Sequence, residues 1–217
     1  MSPELLNLFQ TSLIETLWMV GVSAALGTLL GLPIGVLLVV TDRQGLLEHL
    51  PFNRVLGVIA NAVRSTPFII LLVAVIPFTR WVVGTSIGTA AAIVPLTIAA
   101  IPFIARLVET ALREVDRGLI EALLAIGATP WQVIRTALIP EAMPGIVAGL
   151  TITLVSLIGH SAMAGAVGGG GLGDLGIRYG YQRFLPDVMA LVVIVLIVLV
   201  QIVQSAGDRL VRRLSHR

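Results

Sequence analysis

Five stretches of this chain, residues 13–40, 55–84, 87–108, 142–164 and 188–206, stay apolar for the roughly 20 residues that a helix needs to cross a bilayer's hydrocarbon. Inside hydrocarbon every backbone N–H and C=O must find its partner within the segment or in a closed barrel, so runs of this length read as helices. The expected fold is therefore all-α: one polytopic membrane domain over residues 1–217 with five transmembrane helices. Overall composition agrees, with 57% hydrophobic and 12% charged residues in 217. The first run is too long for a signal-peptide core and no basic residue precedes it, so it is expected to be retained as a span.

Charge placement orients the spans and excludes several chemistries. All 14 basic residues are Arg. Without Lys the chain has no Walker A phosphate loop, so any ATP hydrolysis has to come from a partner and no ATP or Mg is held here. Cys is absent, and His49, His160 and His216 are too scattered for a local metal motif, so neither a metal site nor a catalytic residue is expected. A pI near 9.9 suggests nucleic acid, yet the net charge is only +2 and the arginines sit between apolar runs, as topology signals do. Nucleic acid is set aside. With the N-terminus outside, the inner side carries Arg43, Arg54, Arg106, Arg113, Arg117, Arg135, Arg209, Arg212, Arg213 and Arg217, and the outer side only Arg80, Arg178 and Arg183. The positive-inside rule thus predicts N-out and C-in. Arg64 stands apart from both sets. It either lies deep, facing protein or a watery path, or anchors at the boundary with residues 53–63 along the interface.

The polar segment 118–140 reads as helix, turn, helix. Residues 119–126 are apolar helix formers, and Gly127 suits the left-handed position that closes a helix. Thr129 can cap a second helix with Pro130 at its first position, and Gln132 completes a Thr-x-x-Gln capping box. A rigid elbow is expected, on the cytoplasmic side. Glu121 is either an ion-pair partner for a basic groove or a solvated charge near a helix start. An interfacial lipid-binding helix would need Arg on its polar face, and residues 119–126 have none.

Other patterns admit two uses each. Gly27, Gly31 and Gly35 share one helical face and invite close approach of a neighbouring helix. Pro33, Pro95 and Pro102 can hinge helices or simply pack. Thr153, Ser156, His160 and Met163 recur at spacings of three and four, which places them on one face of the fourth span. That face lines a pore, with Met163 as gate, or its hydroxyls merely bond back to their own helix. Gly168-x-Gly170-x-x-Gly173 copies a dinucleotide fingerprint but follows a membrane span rather than a strand. Residues 165–176 instead suggest a compact external loop, and Arg178, Tyr179, Tyr181 and Arg183 a docking surface for an external partner or a plain connector.

Glu121-Ala122, then Gly127 and Pro140, resembles the "EAA" loop with which permease subunits of ABC importers dock on a separate ATPase subunit. Leu123 stands where a second Ala is usual, and Ala137 with Ile139 replaces the usual Ile-x-Leu. Further strings extend the likeness: 63–72 (Val-Arg-Ser-Thr-Pro-Phe-Ile-Ile-Leu-Leu), 76–80, 83–88, 92–97, 102–106 and 161–168 (Ser-Ala-Met-Ala-Gly-Ala-Val-Gly). Across nearly its whole length the chain is similar to the permease subunits of bacterial methionine ABC importers. That resemblance implies a multi-pass protein of the bacterial inner membrane. It also implies a second copy of the chain, two cytoplasmic ATPase subunits holding ATP and Mg, an extracytoplasmic substrate-binding protein, and surrounding lipid. It assigns coupling to Glu121, Ala122, Leu123, Ile126, Gly127, Ala128, Pro130 and Pro140. The competing readings are a permease for another small nutrient, such as an osmolyte, a phosphonate or another amino acid, and an ion-driven carrier. The latter expects carboxylates inside the membrane, whereas Glu15, Glu109, Glu141, Asp187 and Asp208 fall near span ends.

Overall fold

The computed structural model describes residues 3–215, among which every regular element is helical. His216 and Arg217 lie outside the described residues. In chain order the helices are α1 (Pro3–Val40), α2 (Leu50–Ser65), α3 (Phe68–Ala74), α4 (Ile76–Val83), α5 (Thr89–Arg113), α6 (Arg117–Ala125), α7 (Pro130–Val133), α8 (Ile139–Ala166), α9 (Gly171–Leu175) and α10 (Pro186–Leu214). Two π-helical turns, Ile134–Leu138 and Gly176–Tyr181, join α7 to α8 and follow α9. Four unbroken runs are long and apolar enough to span a membrane, and counting the bent pair α2 and α3 as one span gives five. At about 1.5 Å per residue, the 38 residues of α1 measure about 57 Å, nearly twice the hydrocarbon thickness. Helix α1 starts well before residue 13, so Glu15, expected near a span end, sits twelve residues inside it.

The second span is broken where a straight helix over 55–84 was one of the two expected placements. Helices α2 and α3 meet at 105°. Pro67 explains the break, since it has no N–H to continue the ladder and disfavours helical geometry at the residue before it. Thr66 is accordingly extended, at φ −82° and ψ 124°. The carbonyls orphaned there are re-satisfied locally. The Thr66 N–H donates to the Val63 carbonyl at 3.2 Å, and the Thr66 and Ser65 hydroxyls donate to Ala62 and Asn61 at 3.0 and 2.8 Å.

Helix α5 is the central post of the fold, packed on one side by α1 and on another by α8. Its Leu96, Ile104 and Ala105 are fully enclosed, and Pro95 and Pro102 are buried within one continuous helix. The glycine stripe of α1 is what lets α5 approach. A Cβ on Gly27, Gly31 or Gly35 would lie 2.7 Å from the Ala100 Cβ, 2.7 Å from the Ile101 carbonyl oxygen and 2.6 Å from the Ala105 carbonyl oxygen.

An ion network locks the C-terminal end of α5. Glu109, 8% exposed, accepts from Arg106 at 2.6 Å and from Arg113 at 2.8 Å. Arg113 also reaches Asp42 at 2.6 Å, just past α1, and Arg106 donates to the Gly57 carbonyl of α2 at 3.0 Å. One buried carboxylate thereby joins three segments far apart in sequence. Removing one partner of a buried ionic cluster typically costs about 3–5 kcal/mol, because the remaining charges stay desolvated without compensation. Glu109→Ala is expected to lower thermal stability of the detergent-solubilised protein markedly. An unchanged melting temperature would show the network to be incidental.

The Arg113 guanidinium, with a further bond from the Arg43 N–H, holds the Asp42 carboxyl below the usual carboxylate range. A carboxyl lowered on folding contributes stability that is complete above its unfolded pKa and lost as pH falls through the folded value. Acid unfolding of the Asp42→Asn variant should therefore lack this limb, which parallel melts from neutral pH downwards would reveal.

Candidate functional site

The elbow forms as residue chemistry dictates. Asp116 caps α6 by accepting from the Gly118 N–H at 2.6 Å, which starts the helix two residues before the apolar run. Gly127 closes it at φ +87°, with Gly127 N–H to the Leu124 carbonyl and Ala128 N–H to the Leu123 carbonyl, both 3.0 Å. This pair of bonds is the Schellman pattern. Thr129 and Gln132 make the reciprocal capping box, with the Thr129 N–H donating to the Gln132 Oε1 at 2.8 Å. Pro130 takes the first turn.

The second arm is not a separate helix ending at Pro140. It runs through the π-turn into α8 as one helical stretch, Pro130–Ala166. Pro140 lacks the N–H that an unbroken α-ladder would require, and the π-turn just before it absorbs the mismatch, with Ile139 N–H bonded to the Ile134 carbonyl. Buried Val133, Ile134, Ala137 and Leu138 hold this stretch to the bundle. The tip is bare: Glu121 and Ala122 are exposed, Leu123 and Ala128 half-buried, Ile126 81% exposed and Trp131 68% exposed. Two large apolar side chains thus stand exposed on the elbow. Trp131 was not singled out from the sequence. The elbow's second arm is thus continuous with the fourth span, and α6 joins it through the Gly127 turn.

A second constellation lies mid-molecule. A cavity of about 320 Å³ is lined by Arg64 and Thr66 at the break, Phe68, Phe103 of α5, and Thr153, Ser156 and His160 of α8. Three of the four pore-face residues therefore meet in one cavity. Met163 does not line it, and is 48% exposed farther along α8. Thr153 is buried and bonds back to the Gly149 carbonyl at 2.9 Å. His160 stacks on Phe68 with ring centroids 4.5 Å apart. Residues 99–103 and 153–156 are central in α5 and α8, so Arg64 is level with the middle of both helices. Arg64 thus lines a protein cavity at the break between α2 and α3.

At the end opposite the elbow, residues 165–176 are not a simple external loop. Gly168, Gly170 and Gly171 turn the chain at positive φ, and α9 folds back with Leu172 and Leu175 buried against Leu5, Leu8, Phe9 and Leu13 of α1. Its first N–H groups are capped from α1: Gly171 donates to the Glu15 Oε2 at 2.7 Å and Leu172 to the Thr16 Oγ1 at 2.8 Å. No pattern local to residues 165–176 announces a cap supplied from 156 residues away. On the following segment Arg178 pairs with Asp174 at 2.8 Å, and the Arg183 guanidinium sits 4.3 Å from the centroid of the half-buried Tyr179 ring. Tyr181 is 68% exposed, and beside it Phe184, unremarked in the sequence, is 85% exposed at φ +54°.

Comparison with known proteins gives a consistent set of relatives. Residues 27–216 match the family model described as binding-protein-dependent transport system inner membrane component. The probable D-methionine transport system permease protein MetI of Vibrio cholerae is 58% identical over 97% of this chain and 94% of its own length. Its counterpart in Pasteurella multocida is 48% identical over the full length of both chains. Among solved structures, a chain from the MetNI methionine ABC transporter in an inward-facing conformation superposes with a TM-score of 0.98 at 52% identity, each chain covered completely.

Proposed function

The chain belongs to the family of binding-protein-dependent transport system inner membrane components, and from that membership we propose that it is the permease subunit of an ABC importer that carries methionine into the cell. It is a multi-pass protein of the cytoplasmic membrane. The observation that carries the substrate reading is similarity over the whole length, at 58% identity, to a protein named as a D-methionine transport permease. Methionine is accordingly the cargo, rather than an osmolyte or a phosphonate.

In this reading the N-terminus is outside and the elbow is cytoplasmic, on the side where ATP is available. Two copies of the chain flank one path, and each elbow seats in a groove on one of two ATPase subunits. Those subunits hold ATP and Mg, while this chain supplies no catalytic group. Glu121 meets the groove as a charge, with Ile126 and Trp131 as its apolar anchors. Closure of the ATPase pair pushes the tip, and because α7 runs on into α8, the push rotates the fourth span as a unit. Nucleotide thereby biases two states of the helices, which is what alternating access requires. An external binding protein docks on the opposite end, against Arg178, Tyr179, Tyr181 and Arg183, and Phe184 extends that surface.

Uptake of labelled methionine into proteoliposomes containing this chain, its ATPase and its binding protein tests the proposal, with ATP on the elbow side. ATP-dependent accumulation suppressed by unlabelled methionine is expected. ATP hydrolysis stimulated by the binding protein without methionine uptake would remove the substrate and keep the importer. Failure to associate with an ATPase would remove both.

A further inference from the structure

We infer that each protomer carries its own binding site for the transported amino acid in the cavity at the break between α2 and α3, with Arg64 as the anchor for the substrate carboxylate. This rests on the reading of the chain as a methionine permease and goes beyond it, since a path shared between two copies does not require a site within one.

Four observations converge. The first is size: about 320 Å³ lies at the small end of the roughly 300–1,000 Å³ typical of small-molecule sites. The second is charge. The lining contains one guanidinium and no carboxylate, and Arg64 has no hydrogen-bond or ion-pair partner among the described residues. The neighbouring arginines Arg106 and Arg113 are both paired. An unpaired cation on a largely apolar cavity wall is costly unless an anion completes it. A different cavity, of about 710 Å³ near the elbow, is lined by Glu114, Asp116 and Glu141 and offers no cation to a carboxylate.

Third, the remaining lining suits the rest of a zwitterionic apolar amino acid. Phe68, Leu71, Phe103 and Leu157 offer an apolar wall for a thioether chain, and aromatic rings contact sulfur favourably. The Ser156 hydroxyl has no partner among the described residues and faces the cavity, free to accept from an ammonium group that the ring faces also attract. Fourth, a helix interrupted at membrane depth is where transporters place ligands, because free backbone there needs polar company. The break at Thr66 and Pro67 leaves Arg64 on one side of it and Phe68, stacked on His160, on the other, all lining one cavity.

The absence of native Cys makes a direct test available. In the assembled permease–ATPase complex, a Ser156→Cys variant is alkylated with a small thiol reagent, and the mass of this chain alone is followed. L-Methionine should slow the labelling, whereas L-methioninamide, which lacks the carboxylate, should not. Adding Arg64→Ala should abolish the protection, and in the otherwise native chain it should raise the methionine concentration for half-maximal uptake about tenfold or more. Arg64→Lys, which keeps the charge but loses the bidentate fork, should recover part of the affinity and guards against a mere folding defect. Equal protection by methionine and its amide, or protection that survives Arg64→Ala, would overturn the site. Methionine uptake by the native complex without any protection at Ser156→Cys would overturn the site while leaving the permease reading intact. Absence of methionine uptake by the native complex would instead remove the substrate on which the inference stands.

Discussion

Replacing Gly127 by Val is expected to leave the permease folded and bound in its membrane yet to cut ATP-driven uptake about tenfold or more. Gly127 turns at φ +87°, and a Cβ there would meet nothing within 4 Å, so crowding is not the issue. The strain is in the backbone. A residue with a Cβ pays about 1–2 kcal/mol in the left-handed region, more when β-branched, and 1.4 kcal/mol is a tenfold change in population. That energy acts on the two bonds which close α6, from Gly127 and Ala128 to the carbonyls of Leu124 and Leu123. Their loss lets α6 swing relative to the α7–α8 lever, so Glu121 and Trp131 no longer present one surface. Gly127→Asn is the informative control, because Asn tolerates positive φ and should retain most transport. Reduced uptake with intact assembly for Val, and near-normal uptake for Asn, would tie coupling to the turn's conformation. Normal uptake by Gly127→Val would dissolve the assignment of this elbow to coupling.

Gly35→Leu should instead destroy the fold. Its first side-chain carbon would lie 2.6 Å from the Ala105 carbonyl oxygen and 2.7 Å from the Val108 Cβ. Neither is the flexible end of a side chain, so α1 would have to move off α5 along its main contact. Overpacking a core ordinarily costs about 1–3 kcal/mol, and a collision with backbone belongs at or above the top of that range. Thermal unfolding in detergent, together with the yield of membrane-inserted protein, measures the effect. Gly21→Leu lies on the same helix where an added Cβ has open space, and it should behave as the parent does. If both variants melt alike, the glycine stripe contributes nothing to helix packing.

Much of the elbow was legible because its determinants are local. A Thr, a Pro at the next position and a Gln two residues further form a capping box in any helix, and a Gly after an apolar run ends one. The glycine stripe was legible for a similar reason, although residues 27–35 alone do not say that Ala100, Ile101 and Ala105 would be its partners. Where expectation and structure part, the information is non-local. Residues 165–176 are rich in glycine, so they read as a loop, and it is Glu15 and Thr16 of α1 that cap the short helix α9 within them. Pro140 looks like the end of the elbow's second arm, but a π-turn carries the helix through it.

The sequence by itself determined that this is an all-helical membrane chain with a capped, glycine-hinged elbow, because hydrophobic length, proline and glycine act within a few residues of where they stand. Only the tertiary structure decided that the elbow's second arm is continuous with the fourth span, that Glu109 gathers Arg106 and Arg113, and that Arg64 faces a cavity beside Phe68 and Ser156. Those outcomes depend on which faces of separate helices are brought together, and the close approach of α1 to α5 through glycine selects one set of neighbours that no local pattern specifies.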